Sequence, residues 1–228
     1  MVSPMRILVA CEFSGTVRRA FAALGHDVWS CDLLPAEDRS NKHIVGDVRA
    51  ILNDGWDMLM VAHPPCTRLC RSGRRWLSGP GNMTPPKKLP IGRTWVSMKA
   101  EFENGLDLFL SCWNAPIERV AIENPEMHDI ARARMPADVP RPQMVQPFWF
   151  GHPEYKATGL YLRGLPPLIE TDRLPEPEKG SSEWKAWNRV WRMPPGANRG
   201  HERSRFFPGM ATAMAAQWAG PADERIAA

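Results

Sequence analysis

The residues able to do chemistry in this chain gather at the ends of short apolar runs. Cys66 follows Pro64 and Pro65 directly after the run 57–63 (DMLMVAH), which has the character of a buried strand. Two prolines hold a thiol on a stiff turn, just beyond a strand end, where open parallel sheets bind their ligands. A free thiol has a pKa of about 8.5 and needs positive charge nearby to become an effective thiolate. Arg68, Arg71, Arg74 and Arg75 follow at once, so the expected chemistry is nucleophilic addition. Glu123 ends a second buried run, 119–122, ahead of Asn124 and Pro125. A carboxylate in a partly buried position has a raised pKa and can hold or donate a proton. Asp32 and Asp47 close two further runs, where carboxylates suit a ribose hydroxyl and an adenine amino group. The turn Phe13, Ser14, Gly15 lets backbone N–H groups at a helix start approach a cofactor. Each feature alone has a plainer reading: a structural thiol, a capping glutamate, a solvated aspartate, an ordinary turn. His63, Cys66 and Cys70 form a loose cluster, but Cys-x3-Cys without a second pair predicts no metal.

The elements that must position these residues alternate. Apolar runs at 5–11, 27–32, 43–47, 57–63 and 119–122 predict strands. Val17, Ala20, Phe21 and Leu24 recur at helical spacing up to Gly25, and Phe102, Leu106, Phe109, Leu110 and Trp113 mark one face of a second helix. Strands alternating with helices predict a parallel α/β sheet. The segments 145–150 and 157–162 flank a Gly-His-Pro-Glu turn and predict an antiparallel hairpin, and 208–218 predicts a closing helix.

With 228 residues the chain has the size of one domain, 1–228. There is no apolar run of 18 residues and no secretory pattern at the start, and the mean hydropathy is −0.37. A cytoplasmic protein without a membrane partner is expected. Five scattered cysteines, an odd number, predict thiols and no disulfide framework. The net charge of +4 says little, but its distribution says more. Between residues 67 and 100 there is no acid, while Arg68, Arg71, Arg74, Arg75, Lys87, Lys88, Arg93 and Lys99 all fall there. This predicts a basic loop beside the Cys66 site, able to contact phosphates, with Trp76 and Trp95 as rings available for stacking. The stretch 164–202 is rich in proline and carries Trp184, Trp187, Arg189, Trp191 and Arg192. It suits a small recognition segment that stacks and contacts phosphates.

In chain order, CEFSG, SCD, GDV, AHPPC, IENP and FGHPEYKATGLYL form a series that resembles the motifs of cytosine carbon-5 DNA methyltransferases, in a form as compact as those of bacteriophages and prophages. The resemblance spans about 160 residues. It implies a Rossmann-like class I methyltransferase sheet, mostly parallel with an antiparallel hairpin at its end, in a bacterial or phage-infected cell. It also implies S-adenosylmethionine as donor and double-stranded DNA as partner of a monomeric enzyme. Carried over by position, Phe13, Ser14, Gly15 and Pro64 line the cofactor, Asp32 binds its ribose and Asp47 its adenine. Cys66 attacks the base, Glu123 holds it, and Lys156 is the basic residue of the hairpin. The chain departs from the family at Thr16, Val17 and Arg18, where a Gly-Gly pair is usual, at Thr67 and Pro125, and at Gly209 and Met210 in place of a closing Gly-Asn. Alternatives that share the same cysteine and glutamate are a transferase of RNA cytosine, or of a larger group; a non-catalytic DNA-binding relative is a third.

Overall fold

The computed structural model describes residues 2–77, 89–194 and 205–221. Lys87, Lys88 and the end of the 164–202 segment lie outside them. Seven strands, β1 (Arg6–Ala10), β2 (Asp27–Asp32), β3 (His43–Val45), β4 (Met58–Val61), β5 (Arg119–Glu123), β6 (Gln143–Val145) and β7 (Thr158–Arg163), form one sheet in the order β3-β2-β1-β4-β5-β7-β6. The first five are parallel, in a register that sets Leu8 beside Leu59 and Leu59 beside Val120; β7 runs antiparallel to both β5 and β6. The fold is therefore α/β, with a mostly parallel mixed sheet of Rossmann-like type. Strand order reverses between β1 and β4, and ligands of such sheets bind in the crevice beyond that point.

Successive side chains point to opposite faces, and each face is covered. Leu8, Leu59, Val120 and Ile122 pack under helix α2 (Trp95–Trp113) through Phe102, Leu106, Phe109 and Trp113. Ile7, Val9, Met58 and Met60 pack under α1 (Thr16–Ala22) and the closing helix, through Val17, Phe21, Met210, Met214 and Trp218. Burial on both faces explains why the central strands read as continuous apolar runs and not as alternating ones. No helix among the described residues is long and apolar enough to cross a membrane.

Three expectations from sequence are corrected. The hairpin is present, but its first strand is Gln143–Val145, and Pro147–Trp149 forms a 3-10 turn where strand was expected. Pro147 has no N–H to give a ladder. The third strand stops at Val45, and Asp47 caps a 3-10 turn, Val48–Ala50, by accepting from the Arg49 N–H. The stretch 67–100 is not one loop. Its start folds as a 3-10 turn, Arg71–Trp76, tied down where Cys70 pairs with Met127 and where the His128 N–H donates to the Leu69 carbonyl (3.0 Å). Its end is already α2, opened by a capping box of Thr94 and Ser97. A short helix, α3 (Asp129–Arg132), follows β5, and the 164–202 stretch carries α4 (Ser182–Trp187) and α5 (Arg189–Arg192). Trp187 is buried against Phe148 and Tyr155, which anchors α4 to the hairpin turn.

Candidate active site

Strand β4 delivers the turn that carries Cys66. The Ala62 N–H donates to the Ala10 carbonyl (2.9 Å), which continues the ladder one step past β4, and the two prolines then end it. The Cys66 carbonyl accepts from the N–H groups of Leu69 and Cys70 and closes a tight turn. Helix α2 passes directly against this turn: a β-carbon on Gly105 would lie 2.8 Å from the Pro65 carbonyl oxygen, so only glycine permits the approach.

Glu123 stands at the end of the neighbouring strand β5, opposite Leu160 of β7. After it, the Asn124 N–H donates to the Gly159 carbonyl (3.0 Å). A β-carbon on Gly159 would come within 2.4 Å of the Asn124 carbonyl oxygen, so β7 presses closely on the turn that follows Glu123. Burial lifts the Glu123 carboxyl to about 7, against the opposing pull of the Lys156 ammonium. Burial also lifts the Cys66 thiol, to about 12, with the Glu123 charge adding and Lys156 opposing. The expected thiolate is thus absent from the resting site. Arg68 is spent on Glu101 (2.8 Å), Arg71 on Glu126 (2.7 Å) and Arg74 on Asp129, while Arg75 lies over the half-buried Trp76 ring at 4.7 Å. The charges that act on Cys66 are those of Glu123, which raises its pKa, and Lys156, which lowers it.

His63, weighed from sequence only as a metal ligand, stands at the junction. It lines a cleft of about 440 Å³ with Asp32, Leu33, Asp47, Val48 and Leu108, and Pro65 of the Cys66 turn forms part of the same wall. Its Nε2 is buried with no partner among the described residues, and its ring packs 5.5 Å from Phe206. Burial, then Lys156, press its pKa down to about 3, so it is neutral near pH 7. Asn124 Oδ1 is a second buried acceptor without a partner among the described residues. Among those residues no group of three or more His, Cys, Asp or Glu could hold a metal ion.

The cleft brings Asp32 and Asp47 together, with a difference between them. Asp32 spends Oδ1 on the Leu34 N–H (2.9 Å), and its pKa is raised, chiefly by burial. Asp47 is exposed and has both oxygens engaged by the Arg49 guanidinium, which also reaches Asp107. Its pKa falls, first through that hydrogen bond. Phe13, Ser14, Gly15 and Pro64 are not on the lining of this cleft. Pro64 is buried, Ser14 opens on another cavity, and Gly15 starts α1 with φ of +70°.

The N–H groups of α1, offered by sequence to a cofactor, are taken by a residue that sequence reading missed. Glu12 is fully buried and accepts from Val17 (2.6 Å) and Arg18 (3.1 Å). Its signal was an acid on the strand-to-helix turn, five and six residues ahead of the two donors it satisfies. Elsewhere, Lys156 Nζ donates to the Arg205 carbonyl (3.3 Å), Arg189 pairs with Glu154 (2.8 Å), and Arg192 is exposed at the end of α5. No protein-family model matches the chain, and no curated protein matches it in sequence.

Proposed function

We propose that this protein transfers a methyl group from S-adenosylmethionine to carbon 5 of cytosine in double-stranded DNA. The observation that carries the reading is the placing of Cys66 just past β4 and of Glu123 at the end of the adjacent parallel strand β5, both under the charge of Lys156 and next to a cleft that holds the carboxylates of Asp32 and Asp47. The cleft suits a nucleoside. Asp32 can accept from ribose hydroxyls, and Leu33, Val48 and Leu108 offer apolar surface to a base. Asp47 can serve an amino group only as Arg49 turns toward Asp107.

S-adenosylmethionine, when bound, supplies an electrophilic methyl group. Carbon 5 of cytosine is too poor a nucleophile to take it unaided, so Cys66 first gives up its thiol proton to solvent and adds through sulfur to ring carbon 6, opening the carbon 5–carbon 6 double bond. A proton held by Glu123 meets the charge that develops at ring nitrogen 3. Its carboxyl, lifted to about 7, is substantially protonated near neutral pH. Once carbon 5 carries the methyl group, loss of its proton to solvent and departure of the Cys66 sulfur restore the ring, and nitrogen 3 returns its proton to Glu123. A stacked duplex hides carbon 6, so the cytosine has to swing out into the site.

The test incubates the protein with S-adenosylmethionine and a cytosine-containing duplex and analyses the nucleosides by mass spectrometry. 5-Methylcytosine is expected. An oligonucleotide carrying 5-fluorocytosine should remain bonded to Cys66, because fluorine cannot leave as a proton. Active protein that traps nothing, or that modifies only RNA, overturns the reading.

A further inference from the structure

A second cavity, of about 310 Å³, is lined by four cations from four separate stretches of chain: Arg19 on α1, Lys156 ahead of β7, Arg189 opening α5, and Arg205 ahead of the closing helix. Glu37 is the carboxylate on the same lining. The convergence comes from folding and not from a local basic run. Carboxylates lie against some of these cations: Asp38 accepts from Arg19 (2.6 Å), Glu154 forms an ion pair with Arg189 (2.8 Å), and Glu37 lies 3.6 Å from Arg205. A guanidinium has five N–H donors, so a pair with one carboxylate leaves others for a ligand.

The cavity joins the reacting centre through two residues. The Lys156 ammonium on its lining acts on Cys66, Glu123 and His63. Phe206, also on the lining, packs against the His63 ring. By contrast, the cavity shares no lining residue with the cleft that holds Asp32 and Asp47.

We propose that this cavity binds a phosphate group of the nucleotide whose base reacts at Cys66, so that the substrate is recognised as a nucleotide and not as a free base or nucleoside. The proposal rests on the reading of Cys66 as nucleophile toward cytosine. Four cations arriving from separate segments suit a tetrahedral group with several oxygens; a carboxylate, such as that of the donor, offers two oxygens in one plane. The same phosphate chemistry is carried by a diester within a strand and by the monoester of free dCMP.

The test uses Arg189→Gln/Arg205→Gln, both side chains being about half exposed, with Arg189→Lys/Arg205→Lys as the charge-retaining control. Circular dichroism and thermal melting check the fold of each. Binding of a fluorescein-labelled cytosine-containing duplex is followed across a salt series, dCMP and deoxycytidine serve as competitors, and S-adenosylmethionine binding is followed by calorimetry. The Gln pair should bind the duplex about tenfold more weakly. Its salt slope should flatten by roughly 0.9 log units for each phosphate that is no longer neutralised. The Lys pair should keep most of the affinity, and the calorimetry should not change. Competition by dCMP with modification of dCMP itself assigns the phosphate to a free nucleotide; response to the duplex alone assigns it to a strand. Unchanged duplex affinity, competition by deoxycytidine equal to that by dCMP, or lost affinity for S-adenosylmethionine alone overturns the proposal. Phosphate-dependent binding by a wild-type protein that traps no 5-fluorocytosine would sink the Cys66 reading and leave the phosphate site standing.

Discussion

The ends of β4 and β5 and the ends of β2 and β3 lie on one sheet, yet they treat their charged groups in opposite ways. At Cys66, Glu123 and His63, burial dominates. It raises the thiol and the carboxyl, lowers the imidazole, and leaves His63 Nε2 and Asn124 Oδ1 without partners among the described residues. At Asp47 the carboxylate faces solvent and is held by Arg49, so its pKa falls. Asp32 lies between these extremes, buried enough to rise but answered by a backbone N–H. A site that keeps buried polar atoms without protein partners is suited to making and breaking bonds, because each such group costs free energy until something meets it. A site with its charges already answered is suited to holding a ligand.

The sharpest way to break this contrast is at Cys66. Cys66→Ala should abolish transfer while leaving duplex and cofactor affinity near wild type, since the thiol acts in the chemistry and not in docking. A variant that keeps more than a few per cent of turnover removes Cys66 from the chemistry. In the wild type, iodoacetamide should alkylate Cys66 slowly at pH 7.5. A thiol near 12 leaves a thiolate fraction on the order of 10⁻⁴ to 10⁻⁵. Fast alkylation of the free protein would show that the arginines do reach it.

Glu123→Gln separates the two halves of this site. Turnover should fall by about 10²–10⁴-fold, the range for a positioned acid or base. Above pH 7 the variant's Cys66 should alkylate faster than wild type, because the charge that raises the thiol is gone; below pH 7 that charge is neutralised and the two should match. Stability supplies the sign. Glu123 has a folded pKa above its unfolded one, so its contribution is complete below about 4.5 and is lost as pH rises to about 7. Urea titrations across this window should show the wild type losing about 3 kcal/mol that the Gln variant does not lose. Parallel curves would mean that Glu123 is solvated.

Much of the frame was legible because central parallel strands are buried on both faces and therefore appear as unbroken apolar runs. The residues that end those runs, Asp32, Asp47, Cys66 and Glu123, follow from the same logic. What was not legible depended on partners distant in sequence. The acid-free stretch after Cys66 looked uniformly basic, but Glu101, Glu126 and Asp129 supply its counter-charges from α2 and from the segment after β5. Glu12, just ahead of the expected cofactor turn, was missed because its role shows only once the chain folds back and its carboxylate accepts from the first N–H groups of α1. The extent of the hairpin was misjudged because one proline outweighed a run of aromatic residues with high strand propensity.

On the wetter side the effects should be smaller. Asp32→Asn keeps the shape but exchanges an acceptor-only carboxylate for an amide. A loss of about tenfold in S-adenosylmethionine affinity, with turnover at saturation nearly unchanged, is expected from one charge-assisted hydrogen bond. Equal falls in turnover and affinity would place Asp32 in the chemistry and erase the distinction between the two sites.

The smallest effect belongs to the basic turn, where sequence and structure pull in different directions. Eight cations with no acid among them suggest a strong phosphate track. In the folded chain Arg71 and Arg74 already pair with Glu126 and Asp129, and Arg75 lies over Trp76. Exposed pairs of this kind contribute little, because solvent screens them, so DNA can compete for the guanidinium groups. The carboxylates left behind then repel the backbone, and the net gain shrinks. Replacing Arg71, Arg74 and Arg75 together with alanine should therefore flatten the salt slope of duplex binding by less than the roughly 2.7 log units that three fully neutralised phosphates imply. Adding Glu126→Gln and Asp129→Asn to the otherwise wild-type chain should raise affinity, because it frees Arg71 and Arg74 without removing them. A full-sized drop in the triple variant, together with no gain from removing the acids, would show that the ion pairs open completely on DNA and that the turn is the main electrostatic track.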